Sequence, residues 1–113
     1  MQDEHQAPRS AQRVEDLGEQ LVRAILDHRV IRLRYQGLDR VVEPHLLGIH
    51  EAGEPMLIGY QTAGPSRSGD IPGWRTFITT SIEDVELTDE RFTMPRSDMN
   101  VRSQSMTEIF ARA

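Results

Sequence analysis

The chain has 113 residues, 37% of them hydrophobic and 27% charged, with a net charge of −5 and no cysteine. That length supports one hydrophobic core and one domain, and the lack of cysteine excludes disulfides, thiol catalysis and cysteine-ligated zinc. No apolar run approaches the roughly 20 residues of a membrane span, and the opening "MQDEHQAPRS" has no apolar stretch of a secretory signal, so a cytoplasmic bacterial protein with no membrane partner is expected.

In chain order, residues 1–9 read as a disordered tail. Val14, Leu17, Leu21, Ala24, Ile25 and His28 recur at helical spacing and predict an amphipathic helix over 10–28. The period then changes to two. In "VIRLRYQ", Ile31, Leu33 and Tyr35 share one face, while Arg32 and Arg34 share the other. A turn at "GLD" leads to "RVVEPHLLGIHE", a strand in which Pro44 demands an edge or bulge and Gly48 allows a sharp bend. "PMLIGYQ", "WRTFIT" and "IEDVELT" read as three more strands, the last ending near Phe92. The fold class is therefore mostly β with one N-terminal helix, a small five-stranded antiparallel SH3-like or Sm-like barrel over 30–92. Residues 93–113 form an extension wrapping it, in which Met106, Ile109 and Phe110 dock as a turn or short strand.

The charge is unevenly spread. Every one of the 13 basic residues is arginine, and residues 29–45 are net basic between two acidic ends. Net acidity argues against strong unspecific nucleic-acid binding, which depends on phosphate neutralisation. Arginine alone suits phosphates, carboxylates and base edges, although a GC-rich genome gives the same bias. Glu83, Asp84, Glu86, Asp89 and Glu90 read as a solvated edge that discourages strand-to-strand aggregation. His45 and His50 have a spacing that puts them on opposite faces of a regular strand, so no metal site is expected; no cofactor is expected either.

The segment "TAGPSRSGDIPGWRTF", Thr62 to Phe77, carries the candidate site. It is no P-loop, because Asp70 stands where the lysine belongs, and Ser66 and Ser68 lack the flanking glycines of a nucleophile elbow. With no partner placed beside either serine, no catalysis is expected. A loop of this length in a small domain is commonly functional. Its glycines admit a guest, Ser66 and Ser68 offer hydrogen bonds, Trp74 offers a stacking face and Arg67 and Arg75 meet an anion. The alternative is that Trp74 caps one end of a barrel. Arg34 and Arg40 either support a cationic groove with Arg32 and Arg75, or pair with acids such as Glu43, Glu83 and Glu86.

From Leu17 to Phe92 the chain resembles a WYL domain. The resemblance is carried by "LVRAILDHR", "IRLRY", "RVVEPHLLG", "MLIGY" and "RTFITTSIEDVELTDERF", most specifically by R-V-V-E-P followed downstream by R-T-F. Short stand-alone members share the loop and a tail like "PRSDMN…IFAR". The chain departs from the pattern at Pro55, Met56 and Leu57, where the name-giving Trp-Tyr-Leu belongs, and at Ser81, where many members have arginine. It also contains no helix-turn-helix segment. The resemblance implies an Sm-like barrel serving as a ligand-sensing module of transcription regulation or as a phage-defence accessory, and it points independently to Arg75. The expected function is thus a non-catalytic regulatory barrel. It would bind single-stranded nucleic acid, a nucleotide or a similar anionic ligand through Arg75, Trp74, Arg34, Arg40, Arg67, Ser66 and Ser68. The alternative is an interaction subunit that joins copies of itself, or a regulator protein, through strand edges.

Overall fold

A computed structural model of the chain describes residues 9–66, 70–97 and 106–113, with side chains from Leu17 onward. Arg67 and Ser68, both predicted site residues, and residues 1–8 of the predicted 1–9 tail lie outside the described residues, whereas Arg9, the last residue of that predicted tail, begins the helix. Helix α1 (Arg9–Asp27) leads into β1 (Arg29–Tyr35), β2 (Leu38–His50), β3 (Pro55–Ala63), β4 (Gly73–Ile78), β5 (Ile82–Arg91) and β6 (Met106–Arg112). A single 3-10 turn, Thr79–Ser81, joins β4 to β5. The five strands and the helix expected from the sequence are present within two residues of their predicted starts. The sixth is the segment around Met106, Ile109 and Phe110.

Local chemistry explains the joints. The stripe on α1 buries Leu21, Ala24 and Ile25 completely, and the helix stops at His28, whose left-handed φ of 56° ends the helical turn. β1 follows at once. It returns as β2 through a two-residue turn, Gln36–Gly37, in which both φ angles are positive (56° and 73°), the hairpin geometry whose twist matches the flanking strands. Tyr35 and Leu38 face each other across it.

The sheet order is β4-β3-β2-β1-β5, all antiparallel, with β6 added beside the second half of β2. β2 is the spine: its residues 38–42 pair with β1 and its residues 46–50 with β6. Pro44, which has no N–H to give, falls in the gap between those two partners. On its other side β2 pairs with β3, and the register slips between Pro44 and Leu46, leaving His45 as the bulged residue. One extra residue reverses the alternation. Val42 and Leu47 therefore both face the helix-side core, while Leu46 faces away with Ile58, Trp74 and Met106.

The expected closed barrel is not what the pairing gives. The sheet is open, because β4 and β5 share no ladder. It is nevertheless curled. Tyr35 on β1 meets Phe77 on β4 edge-on, with ring centroids 5.0 Å apart, and the Ile78 backbone N–H donates to the Tyr35 hydroxyl at 3.2 Å. A phenol from across the concave face thus occupies the place where a closing strand would bond. Among the described residues no helix is long and apolar enough to cross a membrane.

Gly48 is required for β6. A Cβ there would collide with the backbone carbonyl oxygen of Glu108, with Ile109 Cα 3.3 Å away. Backbone cannot swing aside as a side chain can, so Gly48→Ala is expected to loosen β6 at a cost of about 1–3 kcal/mol. Hydrogen exchange should report it as faster exchange at 106–112, with the β1–β5 amides unchanged.

Candidate binding surfaces

Trp74 and Arg75 are adjacent on β4, so their side chains leave opposite faces of the sheet. Arg75 turns inward and is 9% exposed. Its Nε donates to Ser66 Oγ (2.8 Å), Nη1 to the Trp74 carbonyl (2.7 Å) and Nη2 to the Asp70 carbonyl (2.7 Å). Beside it, Gln61 is fully buried and its side-chain amide donates to the carbonyls of Ala63, Gly64 and Pro65 at 3.0–3.1 Å. Arg40, 3% exposed, donates to the Tyr35 carbonyl at 3.3 Å and the Gln36 side chain at 3.0 Å, reaches Gln61 Oε1 at 3.5 Å, and lies over the rings of Tyr35 and Phe77.

These three residues form a buried polar plug at one end of the concave face. They satisfy the carbonyls that an irregular loop exposes when it folds over a core. Gly64 helps hold the loop down: its φ is +92°, and a Cβ there would strike the Asp39 carbonyl oxygen. Ser66, a predicted ligand group, is an acceptor for Arg75. Gln61 and Arg75 therefore fasten the described ends of the glycine-serine segment, at Ala63–Ser66 and Asp70, from beneath, and Arg40 braces Gln61.

On the convex face Trp74 belongs to a different assembly. His28 stacks on Phe92 (5.0 Å, 17° between planes), and Phe92 stacks on His45 (4.9 Å, 18°). His45 and Tyr60 each meet Trp74 edge-on, at 5.0 and 5.4 Å. Arg96 lies 3.7 Å above the Tyr60 ring and grips both carboxylate oxygens of Glu43, at 2.8 and 3.3 Å.

His45, fully buried, sits at the centre. Its Nδ1 is 2.9 Å from the Glu43 carbonyl, and its Nε2 is 3.0 Å from the Arg96 backbone N–H. A carbonyl only accepts and an amide N–H only donates, so these partners assign the neutral Nδ1–H tautomer. Burial, the largest influence, pushes the His45 pKa below 6.5. Arg96 and His28 act the same way, opposed by the hydrogen bond to the Glu43 carbonyl and by the Glu43 charge.

The remaining arginines are dispersed. Arg34 bonds Asp39 at 2.9 Å and lies 3.6 Å from Glu83; Arg29 lies between Asp27 and Asp89 at 3.8 and 3.9 Å. Arg32 makes no ion pair among the described residues and faces Glu86 in register. A hollow of about 260 Å³ touches Arg32, Arg34 and Arg40, but Asp39, Asp84 and Glu86 also line it. The structure thus does not gather Arg34, Arg40, Arg75 and Trp74 around one cleft. No group of three or more histidine, aspartate and glutamate side chains suited to a metal occurs among the described residues.

A larger hollow lies elsewhere. A groove of about 1160 Å³ runs between α1, the start of β5 and β6. Leu17, Leu21, Leu26, Ile82, Val85 and Phe110 supply its apolar wall, and Leu26 and Phe110 are 63% and 50% exposed. Charged residues at the rim are mainly acidic: Glu19, Asp27, Glu83 and Asp84 against Arg23. Sequence reading missed this site because Leu26 lies off the predicted apolar stripe of the helix. Comparison with protein-family models, curated proteins and solved structures finds no match.

Proposed function

We propose that the chain is a non-catalytic recognition module that docks a segment of another protein in the groove between α1 and β5. The observation that carries this reading is the groove itself: an apolar trough flanked by two large, exposed hydrophobic side chains on a small domain. The arginines available for an anionic guest are, by contrast, buried as braces or set beside carboxylates. A leading helix and a curled antiparallel sheet also support the Sm-like, SH3-type architecture implied by the WYL resemblance.

The second reading is an anion-binding module for single-stranded nucleic acid or a nucleotide. Arg32, exposed and beside Arg34 at the smaller hollow, favours it. Two experiments separate the readings. Selection of random peptides against the protein should enrich a shared motif whose binding is lost in Leu26→Glu and Phe110→Glu. Titration with short single-stranded RNA and DNA at low salt should show no saturable binding. Saturable binding lost in Arg32→Ala, with no peptide motif enriched, would replace the first reading by the second.

A further inference from the structure

The two outer strands of the sheet are finished differently. On β4 the Ile78 N–H points away from β3 and is taken by the Tyr35 hydroxyl. Trp74 and Thr76 share that direction by alternation, and the Trp74 carbonyl is capped by Arg75. Side chains of the same chain therefore blunt this edge. β5 runs ten residues, and among the described residues no strand pairs with its outer side. Near the strand's end the Thr88 carbonyl accepts from Arg29 Nη1 at 3.3 Å, and the Glu90 N–H donates to Thr88 Oγ1 at 3.2 Å. Among the described residues no strand pairs with the outward backbone groups of 83–87, which is the template that strand addition uses.

Charge selects the occupant. Glu83, Asp84, Glu86, Asp89 and Glu90 are exposed along this strand, with Arg91 at its end. Glu83 and Asp89 are near Arg34 and Arg29, whereas Asp84, Glu86 and Glu90 have no ion pair among the described residues. Pairing with β5 of a second copy would set carboxylates against carboxylates, which is unfavourable for directly opposed strands. A segment bearing lysine or arginine would meet the opposite sign. Ile82 and Val85 of the same strand form part of the groove wall, so the apolar side chains of an added strand would have a place beside α1.

We propose that the outer edge of β5 takes up an extended, basic segment of another protein, whose alternate apolar side chains seat in the α1–β5 groove. This rests on the protein-docking reading above and names its partner. Electrostatic complementarity then sets specificity and encounter rate, and main-chain hydrogen bonds hold the segment.

The test uses a peptide of about eight residues, the length of a typical strand, alternating valine with lysine, and its glutamate counterpart. The basic peptide should slow amide exchange at 83–87 and shift the resonances of Ile82 and Val85, and the acidic one should do neither. The double variant Asp84→Asn, Glu86→Gln should bind the basic peptide at least about tenfold more weakly. Equal binding of both peptides, protection on β4 instead, or no binding at millimolar peptide overturns the proposal. So does sedimentation equilibrium showing a dimer whose contact protects β5. Groove-dependent enrichment of non-basic peptides in the selection would likewise overturn this proposal while leaving the docking reading intact. Failure of that selection to enrich any motif removes the reading itself.

Discussion

Arg75→Ala is expected to destabilise the protein by about 2 kcal/mol. Removing the guanidinium takes a charged donor from the part-buried Asp70 and Trp74 carbonyls and the Ser66 hydroxyl, each engaged within 2.8 Å, and hydrogen bonds to a charged group contribute about 1.5–3 kcal/mol. Set against a total stability of roughly 5–15 kcal/mol for a small domain, the loss is large. Urea denaturation should show it as a lower midpoint. Arg75→Lys should recover only part of the loss, because a single ammonium cannot span Ser66 and Asp70 as the fork does. A residue serving mainly to hold an anionic guest gives the opposite pattern: unchanged stability and lost affinity.

His45 carries the second large effect. His45→Ala removes a fully buried ring from between Phe92 and Trp74, a change worth about 3–5 kcal/mol by analogy with aromatic-to-alanine truncations in cores. The pH dependence is more specific. Because the folded pKa is lowered by burial, the unfolded chain binds the proton more readily than the native one. The contribution of His45 is therefore complete above the unfolded value of about 6.5 and is lost as pH falls through the lower folded value. Protonation would also turn Nε2 from the acceptor of the Arg96 N–H into a second donor facing it. His45→Phe keeps a flat ring but does not titrate. Its deficit relative to the wild type, about 1–3 kcal/mol at pH 7.5 from the stranded Arg96 N–H and Glu43 carbonyl, should shrink by pH 5. Midpoints in urea at the two pH values measure this, and a deficit that grows on acidification would contradict it.

The elements were legible because each has a local cause. The stripe on α1 through Leu21 and Ile25, the alternation in β1 and the positive-φ turn at Gln36–Gly37 follow from periodicity and turn chemistry. Even the separation of Trp74 from Arg75 was implicit in β4, since neighbours in a strand face opposite ways. What sequence did not reveal depends on contacts between distant segments. The bulge at His45 reverses the alternation along β2, and nothing in "EPHLLG" says which residue is the extra one. Gln61 carried no signal at all, being a polar residue at an inward strand position whose partners are carbonyls of a loop not yet folded. Arg96 reaches Glu43 from 53 residues away, and the groove exists only once α1, β5 and β6 have met. Pro44 was correctly confined by its chemistry, but the gap between β1 and β6 that accommodates it is a property of the assembled sheet.

Arg75 on β4 faces inward and serves the fold, which leaves recognition to the surface of α1 and β5. Solvent exchange of the arginine Nε–H groups, read in a nitrogen–proton correlation spectrum, tests it most directly. The Arg75 Nε–H, bonded to Ser66 Oγ, should exchange far more slowly than that of exposed Arg32. If Arg75 exchanges as fast as Arg32, its guanidinium is open to solvent and the account is wrong.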